Sequence, residues 1–472
     1  MTSQTARQPS NQRPTRPNKS KRYVKQTARF EGKRDGKPLI FGWGGHLSHN
    51  EKVQLQRRTT WAVAIAFVLL IIAVFVGTWL NSNVITPGLP ITSVNGHPIP
   101  QSLYRKMVAF QAELAQNQLY GPHGLTVQRD NLRKQVASEQ KSISDTQKQI
   151  STLNSQIKTG PTTTSLTNQL KAAQKQLATE QATLANLNQQ YTNITQNTIP
   201  QAQQNYNQSQ VGNDSVNWLQ QDELIREWLA GQSSAVQSRV NPSPSALKHA
   251  MDDFKANLPT STSYNALLSK DGVSDDDMQG MMTIKLRRDN MQNYLASLEV
   301  SPTYQVLARV MTIDTLAHAQ NVLKQLNHGG DFGKLAKTNS VDAGTNSNGG
   351  SLGWQARGQY AQSYTAAVVE NWLFDPARKL NELSPILKEN GTYHIAQILG
   401  IDPSRPVDST VLQTLKTNAL SNWVLEQQAL PSTNITPTDQ NKLLDPMNIP
   451  PGLPASAPGN TPGAPSGIPG QP

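Results

Sequence analysis

The sequence predicts an α+β protein, mostly helical, with its bulk on one side of a single membrane-spanning helix. Three observations carry that prediction. Thr59 to Leu80 reads TTWAVAIAFVLLIIAVFVGTWL without one charged side chain. From Leu132 onward, apolar residues recur at seven-residue steps in two successive stretches. From Thr303 the apolar period drops to two and is then interleaved with short helical patterns.

The uncharged run comes first in the argument because it divides the chain. At 1.5 Å rise per residue, 22 helical residues cross the roughly 30 Å hydrocarbon core of a bilayer. Trp61 and Trp79 stand near its ends, where amphipathic rings favour the headgroup level. A buried core helix of that length would carry a polar face, and a cleaved signal has an apolar region of only about 7–15 residues near the N-terminus. The charge asymmetry orients the span. Residues 1–58 hold 14 of the 43 basic residues but only Glu31, Asp35 and Glu51 among the acidic ones, so the rest of the chain is balanced. The positive-inside rule places this arm in the cytoplasm and the C-terminal bulk outside the cell membrane. A basic arm diluted by Pro, Gln, Ser and Thr reads as a disordered segment brushing anionic lipid. Nucleic acid is the competing partner, and no nucleic-acid fold accompanies the arm. The chain has no cysteine, which excludes disulfides, thiolate zinc sites and cysteine lipidation. The histidines show no ligand spacing on one helix face and no phosphate loop is present, so neither a metal nor a cofactor is expected.

In chain order, Ile91 to Pro100 predicts a short strand turning at Asn95-Gly96, and Leu103, Met107, Phe110 and Leu114 continue as a helix. The domain so opened spans 91–127 and resumes at 201–300. Between them, residues 128–200 carry Val136, Ile143, Ile150 and Ile157 on one seam with Leu132 and Leu153 on the other. After Gly160-Pro161 come Leu170, Leu177, Leu184 and Tyr191, with Leu166, Ala173, Leu187 and Ile194. Two such arms around one turn predict an antiparallel coiled-coil hairpin. Glu139, Thr146 and Glu180 fall on its seam and weaken it, which leaves pairing within one chain or in a homodimer open. The hairpin is either a spacer or a partner-binding surface.

The resumed domain is helical. Asn217 to Leu229 forms one helix, and Asn241-Pro-Ser-Pro-Ser245 announces another. Ser274 caps a third ahead of Asp275, Asp276 and Asp277, with Met278, Met281 and Met282 as core. Residues 301–402 form a compact α+β domain, with a strand over Tyr304 to Met311, a helix capped by Asp314 and a closing strand from Tyr393 to Leu399. A final helix over 409–430 precedes a Pro- and Gly-rich tail, 431–472, that the composition marks as disordered.

Five ordered stretches then give the α+β domain a resemblance. Gly330-Asp-Phe-Gly-Lys-Leu-Ala336, Ser340-Val-Asp342, Gly349-Gly-Ser-Leu-Gly-Trp354, Gly358-Gln-Tyr360 and Gly391-Thr-Tyr-His-Ile395 resemble the parvulin family of peptidyl-prolyl isomerases. Val94-Asn-Gly-His-Pro-Ile99 and the helices between 211 and 300 are similar to the chaperone domain of the extracytoplasmic foldases SurA and PrsA, with the hairpin as an insertion. In that family a helix after the isomerase unit packs on the chaperone domain, which implies such a place for 409–430.

The resemblance implies site residues. Asp342 stands at the family's acid-or-cysteine position and His394 at its C-terminal histidine. Tyr360 takes the place of the usual methionine and Tyr364 of the usual phenylalanine in a proline pocket that Leu352 and Gln359 also border. Arg309 falls where the first-strand histidine is normal, and pairing with Asp342 would keep it in the site. Without the resemblance, His394 reads first as a buried structural histidine on the closing strand. Gly349, Gly350 and Gly353 read as loop geometry and Trp354 as core. The implied activity is cis-trans isomerisation of X-Pro bonds in unfolded or newly secreted polypeptides. The competing readings are an inactive parvulin-fold chaperone, favoured by Arg309, Tyr360 and Tyr364, and a coiled-coil envelope adaptor.

Overall fold

The computed structural model describes residues 33–34, 37–38, 49–161, 163–259, 262–360 and 366–455. It divides into two compact units, Met1–Trp79 and Leu80–Pro472.

In the first unit, strands β1 (Lys33–Arg34) and β2 (Lys37–Pro38) pair antiparallel, a small hairpin within a segment predicted to be disordered. The other residues of that segment before His49 lie outside the described ones. The helix His49–Leu80 begins ten residues before the uncharged run, because residues 49–58 are mostly Glu, Lys, Gln, Arg and Leu, all good helix formers. Among the described residues one helical stretch is long and apolar enough to cross a membrane, with a mean hydropathy of 2.8.

The second unit opens with strands β3 (Pro90–Val94) and β4 (His97–Pro100), joined through Asn95 and Gly96 at φ of 49° and 86°. Positive φ at both central residues is what a two-residue hairpin requires, and Asn-Gly supplies it. The Gln101–Tyr120 helix follows and buries Tyr104, Met107 and Phe110. The Leu125–Thr159 and Thr164–Asn193 helices then pack against each other. Val136, Leu153 and Ala173 are buried between them, and Thr146 Oγ1 donates to Glu180 Oε1 at 3.1 Å.

Helices Gln208–Ala230, Pro244–Ala256, Tyr264–Asp271 and Asp275–Leu298 build the helical core. Phe110 lies 6.0 Å from Phe254, and Trp228 meets Trp423 edge-on at 5.9 Å. Ser274 and Asp277 form a reciprocal capping box. Met278, Met281, Met282 and Met291 are buried, so the methionines fill the core.

Strands β5 (Thr303–Ile313), β6 (Ser351–Ala356), β7 (Leu387–Glu389) and β8 (Thr392–Arg405) form an antiparallel sheet in the order β6-β5-β8-β7. Successive side chains on β5 alternate faces. Val306, Ala308 and Val310 pack with Ala396, Ile398, Val369 and Leu373 on one face. Met311 and Ile313 pack with Ile395, Ala319, Val322 and Phe332 on the other. The Leu316–Asn327 helix is capped by Thr315, whose hydroxyl accepts from the His318 N–H. Asp314, predicted as the cap, instead has its carboxylate beside the His318 ring. Trp354 is half-exposed rather than core, with Arg405 stacked 4.5 Å over it.

Two C-terminal expectations are corrected. The single helix over 409–430 is two, Ser409–Thr417 and Ala419–Gln428, broken at Asn418. Residues 431–455 of the tail predicted as disordered are ordered against the β3–β4 hairpin and its neighbouring helices. Thr436 N–H donates to Ser93 O at 3.0 Å, Asn95 N–H to Asn434 O at 2.8 Å, and Tyr104 Oη to Leu443 O at 3.0 Å. Leu443 and Leu453 are buried. Four apolar side chains among the prolines, Ile435, Leu443, Ile449 and Leu453, reach the helical core, and burial of that kind offsets the cost of ordering the segment.

Candidate functional site

The register of β5 on β8 decides which side chains meet. Thr312 pairs with His394 and Arg309 with Gln397. Directly paired residues of antiparallel strands share a face, and positions of opposite parity do not. Thr312 and His394 therefore lie on one face, and Arg309 with Gln397 on the other.

His394 is buried between two threonine hydroxyls, 3.1 Å from Thr312 Oγ1 at Nδ1 and 3.1 Å from Thr392 Oγ1 at Nε2. The Thr392 hydroxyl spends its single proton on Glu389 O at 2.9 Å, so it can only accept from the ring. Nε2 therefore carries the hydrogen, and Nδ1 accepts from Thr312. Burial lowers the imidazole pKa below its ordinary 6.5, and the negative charge of Asp342 pulls the other way. The ring is neutral at pH 7.

The Ser340-Val-Asp342 stretch is fastened to the same strand. Thr312 N–H donates to Ser340 Oγ at 3.1 Å, and Val341 N–H donates to Thr312 O at 2.8 Å. Asp342 accepts from the Gly344 N–H at 3.0 Å and from the Thr345 hydroxyl. Thr312 is the node of the arrangement, holding the ring by its side chain and the acidic loop by its backbone. Sequence reasoning missed Thr312, Thr392 and Ser340, since a threonine in a strand is ordinary. The Gly-rich stretch shapes the adjacent loop: Gly350 sits at φ 80°, and an added Cβ would lie 2.5 Å from Val310 O.

Arg309 does not join the site. Its Nε donates to Gln397 Oε1 at 2.8 Å, and its guanidinium stacks 4.5 Å over Phe332. Strand parity turns Arg309 to the face opposite His394, the ring on which the charge of Asp342 acts, and the expected pairing of Arg309 with Asp342 does not form. Tyr360 is fully buried among Val306, Val369 and Ala396, and so forms a floor rather than an open wall. Leu352 is half-buried at the margin of that cluster. Gln359 turns its side-chain oxygen back to accept from the Ala356 N–H at 2.6 Å. Tyr364 lies outside the described residues.

Comparison with known proteins places this geometry. Residues 307–401 match the PPIC-type PPIase domain. The chain is 25% identical over 154 residues to the foldase protein PrsA of Exiguobacterium sibiricum, covering 30% of this chain and 48% of that protein. It is 29% identical over 139 residues to a parvulin-like PPIase of Rickettsia bellii, covering 29% and 46%. With the chaperone SurA of Saccharophagus degradans it shares 30% over 82 residues, 17% of each chain. The chain thus spans about half the length of the first two and less of the third. A crystal structure of PrsA from Bacillus anthracis aligns at 19% identity over 44% of this chain and 93% of that one, with a TM-score of 0.22. The matched span holds most of the β5–β8 sheet together with Asp342 and His394, and over that span the chain resembles the parvulin-type peptidyl-prolyl isomerases.

Proposed function

We propose that the chain is a membrane-anchored extracytoplasmic foldase that isomerises X-Pro bonds in unfolded secreted polypeptides. The observation that carries it is the neutral His394, locked between Thr312 and Thr392 and coupled to Asp342, inside the span that matches the PPIC-type domain. Rotating an X-Pro bond gives up amide resonance against a barrier near 20 kcal/mol. The twisted imide has a less polar carbonyl than the planar one, so an apolar floor over Tyr360 and Leu352 favours it without covalent chemistry. Asp342 faces the substrate in this reading. His394, both nitrogens occupied, is a positioning residue that fixes Thr312 and through it the acidic loop. Residues 59–80 supply the lipid anchor, the basic arm stays cytoplasmic, and the 128–200 hairpin acts as a spacer within one chain.

The test follows cis-to-trans relaxation of a proline tetrapeptide with the full chain in detergent. Acceleration at micromolar protein is expected, and Asp342→Ala should lower kcat/KM at least about tenfold, some 1.4 kcal/mol of transition-state stabilisation. No acceleration by a folded sample defeats the catalytic reading. Labelling of intact cells tests the anchor: reagents outside should reach residues beyond 80 and miss the first fifty.

A second reading, a chaperone that keeps the fold as a peptide-binding module, is favoured by Arg309 standing on the opposite face of the sheet from His394. Suppression of client aggregation that survives Asp342→Ala and His394→Ala together, with no isomerase activity in the parent, would select it.

A further inference from the structure

A second cluster of titratable groups lies far along the chain from the isomerase face. The Asn95-Gly96 turn sets His97 at the start of β4, and β3 is tied to the Gln208–Ala230 helix where Gln220 Nε2 donates to Thr92 Oγ1 at 3.0 Å. On that helix Glu223 and Glu227 are four residues apart and so share a face. His97 Nδ1 lies 2.8 Å from Glu223 Oε1 and 3.3 Å from Glu227 Oε1, and the three ligand atoms all fall within 4.8 Å of one another. The other oxygen of each carboxylate is already committed. Glu223 Oε2 accepts from Arg226 Nη1 at 2.8 Å, and Glu227 Oε2 accepts from Asn95 Nδ2 at 2.6 Å. Two anionic oxygens therefore converge on one ring nitrogen, each oriented by a partner behind it, as ligating carboxylates are.

We propose that His97, Glu223 and Glu227 form a binding site for a divalent transition-metal ion of the zinc type. One Nδ1–H can satisfy one carboxylate oxygen well, not two, whereas a dication satisfies both and leaves Nδ1 as a lone-pair donor. Tetrahedral zinc with bonds of about 2.0–2.2 Å needs ligand atoms roughly 3.4 Å apart. The separations of 2.8 and 3.3 Å from Nδ1 need only a small opening, and His97, 63% exposed, can swing to provide it. An imidazole with two carboxylates suits zinc and its neighbours better than magnesium or calcium, which take oxygen alone. The exposed side of His97 leaves the fourth position to water. Arg226 beside Glu223 opposes the cation, so binding should fall in the micromolar range rather than that of a closed structural site. Such an ion would staple the β3–β4 hairpin to the helix, at the edge that holds Asn434 and Thr436.

The experiment uses the full chain in detergent, without a polyhistidine tag, stripped by chelator and dialysed. Titration with zinc chloride by calorimetry should show one equivalent, and cobalt should give a visible d–d band. His97→Ala and Glu227→Gln should each weaken binding at least about tenfold and remove the band, while Arg226→Gln should tighten it. These side chains are at the surface, and circular dichroism confirms that the variants fold. No saturable binding below about 100 μM, or binding and a cobalt band indifferent to His97→Ala and Glu227→Gln, overturns the site and leaves a surface histidine hydrogen-bonded beside two carboxylates.

Discussion

His394 shows how little freedom one buried ring keeps once both its nitrogens are assigned. Its folded pKa is below that of the unfolded chain, so the unfolded state binds the proton first as pH falls. The stability tied to the neutral ring is present above about pH 6.5 and is lost as pH drops through the folded value. We expect the thermal midpoint of the parent to fall between pH 7 and 5 more steeply than that of His394→Gln, measured by calorimetry. Parallel curves would show that the ring does not stay neutral on its own account. Thr392→Val removes the acceptor of Nε2–H in a buried place, at a cost of about 1–3 kcal/mol. It should slow isomerisation while leaving substrate affinity nearly unchanged, because it loosens the ring rather than the pocket. The sequence showed His394 and Asp342 because they sit in recognisable stretches. It could not show on which face Arg309 stands, since that depends on the β5–β8 register, and a shift by one residue would have reversed it.

Elements were legible where a period ran long enough. The seven-residue steps forecast two packed helices, and residues 125–159 and 164–193 form them. Their buried polar layer is a weak point: Thr146 and Gln176 both reach Glu180 Oε1, while Glu180 Oε2 is buried with no hydrogen-bond partner among the described residues. The double substitution Thr146→Ile, Glu180→Leu should therefore slow amide exchange along both helices. Unchanged or faster exchange would mean that the layer is worth more than its desolvation cost. The segment 431–455 was illegible for the opposite reason. Its anchors follow no helical or strand period, and six prolines are spread among the same 25 residues. Leu443 is 2% exposed, so Leu443→Ala should cost about 2–4 kcal/mol and release the segment to protease. Resistance equal to the parent's would show that backbone pairing with Ser93 and Asn95 suffices.

At the scale of the Leu80–Pro472 unit, the Ser409–Thr417 and Ala419–Gln428 helices hold the β5–β8 sheet to the helical core. Gln292 reaches across to them from the Asp275–Leu298 helix, with Nε2 donating to Lys416 O at 2.7 Å and Oε1 accepting from Leu420 N–H at 2.8 Å. On the other side Arg357 grips Glu426 through two parallel bonds of 2.9 Å, and Asn371 donates to Glu426 O at 3.0 Å. Gly358 sits between, at φ 91°, where a Cβ would lie 2.6 Å from Asn422 Nδ2. The fork from Arg357 is the strongest polar link in this joint, since a bidentate charged pair fixes both distance and orientation. Glu426 is 13% exposed and Arg357 half-exposed, so removing the carboxylate leaves a guanidinium that water can reach, and the cost stays near 1.5–3 kcal/mol. That loss falls on the joint and not on either core. Glu426→Ala should therefore split one calorimetric unfolding transition into two, with amide exchange rising at 357–360, 366–372 and 419–428 but not in β5 and β8. A single transition shifted as a whole would mean that the sheet and the helices share one cooperative core, and that the joint is no hinge between them.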